Sequence, residues 1–284
     1  MSSKEIDRIL ARAWRHTRRA VVAGGLASLA MATSALAAGK VTEEDVVVPT
    51  PDGSAEAALF HPAVQGKWPA VLFWPDFVGL RPAFRDMARK LAAEGFVVLV
   101  PNTFYRSMRP NDAELNPWDP EVRPVLSKYR AEATDDGIAR DVTAYLAFLD
   151  GLKQTDRKKK AGTLGYDLGG SYAFRAAAAA PGRIAAVGSI YGLGVATAHP
   201  NSPHLLVPKT KATYYVAIAK DDEAREPEDK DDIRKAIAEG GLEGTVEVYE
   251  AGHGWANPAA KSYDPASTEK AFQAIVALFK AKLR

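Results

Sequence analysis

The stretch Gly165-Tyr166-Asp167-Leu168-Gly169-Gly170 constrains this chain more than any other. Its spacing is that of a nucleophile elbow, G-x-Nu-x-G, where a strand turns abruptly into a helix and lifts the central side chain above a parallel sheet. The flanking glycines let the strand and helix backbones come close. The neighbours fit this context. Ala161-Gly162-Thr163-Leu164 is short and mostly apolar, as a buried strand is. Ser171 to Ala180 is strongly helix-forming and is stopped by Pro181-Gly182. The central residue, however, is Asp rather than Ser or Cys.

The rest of the chain supplies a frame for such an elbow. Candidate strands are Val41–Val48 and Glu56–Phe60, with the turn signal Pro51-Asp52-Gly53 between them. Ala70–Trp74, Phe96–Val100, Ile184–Tyr191, Thr213–Ile218 and Thr245–Tyr249 follow as further strands. Helical spacing of apolar residues marks Pro82–Glu94, Asp135–Leu152, Ile233–Glu239 and Ser267–Leu283. The Pro-, Asn- and Asp-rich segment Arg109–Pro124 reads as a long loop of the kind that covers active sites. Strands alternating with helices predict a mostly parallel sheet with helices on both faces, carrying an antiparallel edge from the first two strands.

The N-terminus reads as an export signal over residues 1–37. It has a basic n-region with Lys4, Arg8, Arg12, Arg15, Arg18 and Arg19. A short apolar segment from Ala20 to about Met31 follows, then the small-x-small site Ala35-Leu36-Ala37. Thr17-Arg18-Arg19-Ala20-Val21-Val22 resembles a twin-arginine signal; a plain secretory signal and an uncleaved anchor are the alternatives. Cleavage would leave one domain, 38–284, in the periplasm or secreted, with no stable membrane association. It would remove six basic and two acidic residues and turn the net charge of +2 into −2. That balance gives no reason to expect a nucleic-acid partner. The basic run Arg157-Lys158-Lys159-Lys160 is most simply a solvated loop. The chain has no cysteine, which excludes disulfides, thiolate metal sites and a Cys nucleophile.

In such sheets the reactive groups gather at the carboxyl ends of strands. Three ends carry suitable residues in the order nucleophile, acid, His. They are Asp167, the pair Asp221-Asp222, and His253 within Ala251-Gly252-His253-Gly254-Trp255. His253 would be the base, held in its tautomer by one of the two Asp residues. No His/Asp cluster accompanies that pair to suggest a metal, and no cofactor is expected.

These motifs, together with Pro75-Asp76-Phe77-Val78-Gly79-Leu80 and Pro101-Asn102-Thr103-Phe104-Tyr105-Arg106, resemble the dienelactone hydrolase family, a branch of the α/β-hydrolases. The resemblance runs from the strand at Val71 to the closing helix. It implies an α/β-hydrolase fold and a Cys-Asp-His triad that maps onto Asp167, Asp222 and His253. It also implies an acidic group at Asp76 that interacts with the resting nucleophile, Arg106 near the site, and an oxyanion hole from the N–H groups of Phe77 and Leu168. Trp255 would line the site.

Aspartate at the nucleophile position has three chemical readings. The first is a family hydrolase of small esters or lactones. The second is a carboxylate nucleophile attacking saturated carbon, as in haloalkane dehalogenases and soluble epoxide hydrolases; for this, Trp74 and Trp255 would have to stand in for the halide-binding Trp, since Leu168 follows the nucleophile. The third is an inactive, ligand-binding scaffold. Carboxylates at Asp76 and Asp167 would repel and raise one pKa.

Overall fold

The computed structural model describes residues 40–110, 115–117 and 119–284. The expected export segment, residues 1–37, lies outside them. One eight-stranded sheet carries the fold, in the order β1-β2-β4-β3-β5-β6-β7-β8. β1 (Val41–Thr50) and β2 (Gly53–Pro62) form a hairpin across the turn at Pro51-Asp52. β2 pairs antiparallel with β4 (Val97–Pro101). From β4 onward every pairing is parallel, through β3 (Ala70–Trp74), β5 (Ala161–Tyr166), β6 (Ile184–Ile190), β7 (Thr213–Ala219) and β8 (Gly244–Tyr249). The antiparallel edge on a parallel sheet is the expected arrangement.

Strand periodicity sorts the core into two layers. Leu72, Trp74, Val97 and Leu99 point to one face; Val71, Phe73, Val98 and Val100 point to the other. The first face is covered by α2 (Val122–Glu132), α3 (Asp135–Gly151), α4 (Leu168–Ala179) and α6 (Asp229–Glu239). The second is covered by α1 (Pro82–Ala93) and α7 (Pro265–Lys282), whose Phe84, Leu91, Ile275 and Phe279 are buried. Each such large apolar side chain contributes about 1.5–3 kcal/mol.

Two local outcomes differ from the sequence reading. α2 starts at Val122, inside the segment expected as loop. It buries Val122, Val125, Leu126 and Tyr129 at helical spacing. Pro124 does not break it, because the first-turn N–H groups have no intrahelical acceptor to lose. One element the sequence reading did not assign is a short helix, α5 (Lys220–Arg225), which starts directly from β7 and carries the Asp221-Asp222 pair in its first turn.

Candidate active site

The elbow forms at the end of β5. Asp167 adopts φ 50° and ψ −120°, a conformation that side-chain-bearing residues rarely hold. It is held there by its own peptide groups. Its N–H donates to Ile190 O at 3.1 Å, and its carbonyl accepts from Gly170 N at 2.9 Å and Leu193 N at 3.1 Å. The glycines are required by contact: a Cβ on Gly165 would lie 1.8 Å from Gly169 O, and one on Gly169 would lie 2.4 Å from Trp74 O. So β5, α4 and the loop after β3 touch backbone to backbone.

The three residues named for the triad come together. His253 Nδ1 donates to Asp222 Oδ2 at 2.7 Å, and His253 Nε2 faces Asp167 Oδ1 at 3.4 Å. Their side chains are 21% (His253), 10% (Asp222) and 12% (Asp167) exposed, so solvent screens them weakly. Burial would push the imidazole pKa down, but hydrogen bonds and charge from Asp167 and Asp222 outweigh it and push His253 up to about 10. These two side chains thus favour the charged form of the ring. Asp221 has a different task. Its Oδ1 accepts the backbone N–H of His253 at 2.8 Å, while Ser262 Oγ donates to His253 O at 2.6 Å. These bonds fix the loop. Asp222 is further paired with Arg225.

The second oxygen of Asp167 points the other way. Oδ2 accepts the backbone N–H of Phe77 at 3.0 Å. Leu168, the first residue of α4, has a backbone N–H with no intrahelical acceptor. The two expected hole donors thus stand beside the elbow, and one of them is taken by the elbow's own carboxylate.

Asp76 is placed differently from the expectation. Arg81 binds it through both terminal nitrogens, at 2.6 and 2.9 Å, and its Oδ1 also accepts Val78 N at 2.9 Å. Arg81 is buried. Its charge cancels that of Asp76, so the anticipated repulsion with Asp167 is replaced by an ion pair. The pair ties down the loop that presents Phe77 N–H, and Asp76 acts on the site through that loop. Arg81 was missed from sequence, since a loop arginine five residues from an aspartate carries no pattern.

Arg106 is likewise committed elsewhere. It forks onto buried Asp141 with two bonds of 2.9 Å and reaches Asp52 at 2.6 Å. It joins the β1–β2 turn to α3 rather than facing Asp167. Trp255 is fully buried, stacked on Tyr249 at 4.9 Å and edge-on to Tyr191 at 4.8 Å. It supports the floor of the site and is not part of its open wall. Tyr191, at φ 38°, in turn packs edge-on against His253 at 5.1 Å and steadies the imidazole. It too was unread in the sequence, since a tyrosine ending an apolar strand looks like core. Trp74 Nε1 donates to Thr163 Oγ1 at 3.1 Å, which commits it away from a halide, and Trp255 Nε1 is buried with no hydrogen-bond partner among the described residues.

A cavity of about 290 Å³ lies beside α4, lined among others by Thr134, Ser171, Tyr172, Arg175 and Leu193; its wall includes none of the three triad residues. Among the described residues, no group of three or more His, Asp and Glu side chains is arranged to hold a metal, and no helix is long and apolar enough to cross a membrane.

Known proteins share this frame. The carboxymethylenebutenolidase of Pseudomonas sp. strain P51 is 28% identical over 225 residues, 77% of this chain and 87% of that protein. A Synechocystis sp. protein assigned provisionally to the same activity is 24% identical over 84% of this chain and 96% of its own length. Among solved structures, a provisionally assigned dienelactone hydrolase of Klebsiella pneumoniae superposes with a TM-score of 0.73 at 21% identity, covering 85% of this chain and 99% of that one. A dienelactone hydrolase-like promiscuous phosphotriesterase from metagenomic libraries gives 0.70 at 19%, covering 86% and 99%. These two establish likeness of fold. The dienelactone hydrolase family model matches residues 55–283, from β2 to the end of α7, and the chain is a member of that family with an α/β-hydrolase fold.

Proposed function

We propose that this protein hydrolyses small esters or lactones, with the Asp167 carboxylate as the reacting group, His253 as proton carrier and Asp222 as its orienting acid. One observation carries the reading: the unbroken run from Asp222 through His253 and Asp167 to Phe77 N–H. A dead scaffold has no need to keep acid, imidazole and hole donor aligned on one side chain. The relatives named as carboxymethylenebutenolidases support the ester and lactone class.

The chemistry follows from charge. The Asp167 carboxylate lies beside the His253 ring, in the place a thiolate would take. It either attacks the acyl carbon, giving a reactive anhydride, or takes a proton from an attacking water. In both routes the substrate carbonyl oxygen needs Phe77 N–H and Leu168 N–H, so it displaces Oδ2. That exchange gives up a charged hydrogen bond, which costs about 1.5–3 kcal/mol before the new bond offsets it. The His253 imidazolium then protonates the departing alkoxide; in the first route the neutral ring next takes a proton from the water that cleaves the anhydride, which releases the acid and restores Asp167.

The test is turnover of p-nitrophenyl acetate and a lactone panel by the purified protein, beside Asp167→Asn and His253→Gln. Each substitution should lower kcat/KM by about 100-fold or more. An Asp167→Asn protein as fast as its parent would remove Asp167 from the reaction. No turnover by the parent on any substrate would leave a ligand-binding protein.

A further inference from the structure

The same carboxylate is also oriented for alkyl transfer. Oδ2 rests on Phe77 N–H and Oδ1 stands 3.4 Å from His253 Nε2. Acyl chemistry must pull Oδ2 out of the hole. Attack by Oδ1 on a saturated carbon leaves it there, and the hole then holds the carbonyl oxygen of the new ester, where charge develops during its hydrolysis. A leaving group that spreads its charge over three oxygens, as a sulfonate does, asks least of the site.

We propose a further activity at this site: hydrolysis of alkyl esters of strong acids, such as alkyl sulfonates, through an alkyl ester on Oδ1 of Asp167. It rests on the reading of Asp167 as the reacting group. The Oδ1–C bond forms as the C–O bond to the sulfonate breaks, and the sulfonate leaves with the electron pair. Asp167 is then neutral, and His253 keeps only Asp222 as a charged neighbour. Its pKa falls, and it gives its proton to solvent through its exposed edge. Neutral Nε2 now takes a proton from water, and hydroxide adds to Cγ with the charge on Oδ2. The Cγ–Oδ1 bond breaks, the alcohol leaves with the proton from His253, and the proton left on the new carboxyl passes to the ring and restores the starting state. One sulfonate ester and one water give one alcohol, one sulfonate and one proton. Forming the intermediate thus weakens the hold on the ring proton, and the neutral fraction of His253 serves as the base.

The test uses methyl p-nitrobenzenesulfonate with the purified protein, with p-nitrophenyl acetate in parallel. In a single turnover in 18O-labelled water, the wild-type peptide bearing Asp167 should gain the label while the methanol stays unlabelled. His253→Gln should accumulate one methyl group per chain on that peptide, and Asp167→Asn none. Label in the methanol instead, or no methyl group on Asp167, overturns the inference. If acetate ester turnover still depends on Asp167 in that case, the ester reading stands alone; if neither substrate turns over, both fall.

Discussion

Replacing Asp167 by Asn removes one of the two charges that hold the His253 proton, with nearly the same shape. The Asp167 Oδ1–His253 Nε2 separation is 3.4 Å. Two unit charges at that distance interact by about 5 kcal/mol at an effective dielectric of 20 and about 1 kcal/mol in bulk water. At about 1.4 kcal/mol per pKa unit, the expected fall lies between about 1 and 3.5 units. Both side chains are mostly buried, so a middle value of about 2 units applies, from about 10 in the parent. The assay is an NMR titration with 13C,15N-labelled histidine, following the His253 ring in both proteins. A shift under about half a unit would refute the claim that Asp167 holds the proton. The sign carries over to stability. A raised histidine pKa stabilises the fold fully below its unfolded value of 6.5, and that contribution is lost as pH rises through about 10. The parent should therefore lose stability between about pH 6.5 and 10, by at most about 5 kcal/mol. In Asp167→Asn the loss should be smaller and complete at lower pH.

Three other outcomes follow from the same structure. Arg81→Gln leaves the Asp76 carboxylate without its counterion and should destabilise the protein by about 3–5 kcal/mol in urea unfolding; it should lower kcat by loosening the loop of Phe77, and Asp76→Asn in the same chain should recover part of the stability. Arg106→Ala should destabilise by a similar amount because it strands buried Asp141, while kcat/KM for neutral esters measured well below the unfolding temperature stays within about threefold; a selective rise in KM would place Arg106 at the substrate after all. Residues 1–37 fused to a reporter that folds before export should carry it across the membrane, and Arg18→Lys with Arg19→Lys should stop it; export unaffected by that change would mean a general secretory signal.

The parts of the site that could be read from sequence are those whose chemistry is tied to a strand end. The elbow glycines, Asp167 and His253 stand next to apolar runs, so their place above the sheet follows from strand order. Asp222 over Asp221 needed the family pattern, because adjacent carboxylates look alike until one is bonded to the ring and the other to the backbone N–H of the same histidine. What could not be read are pairings across loops. The Asp76–Arg81 fork, the Arg106–Asp141 clamp and the packing of Tyr191 on His253 depend on where side chains end, and no spacing encodes that. Helix α2 was not read at all, although Val122, Val125, Leu126 and Tyr129 stand at helical spacing, because the Pro-rich segment before it and Pro124 within it read as loop.

The backbone contact at Gly165 and Gly169 has a consequence for what position 167 can become. That contact fixes the elbow against the loop after β3, so it sets the gap between residue 167 and Phe77 N–H whatever side chain stands there. The frame works as a socket: hole and imidazole keep their places while the reacting atom changes length and charge. A thiol, hydroxyl or carboxylate at position 167 would each meet the same backbone socket, so a change of reacting atom there asks nothing of the strands.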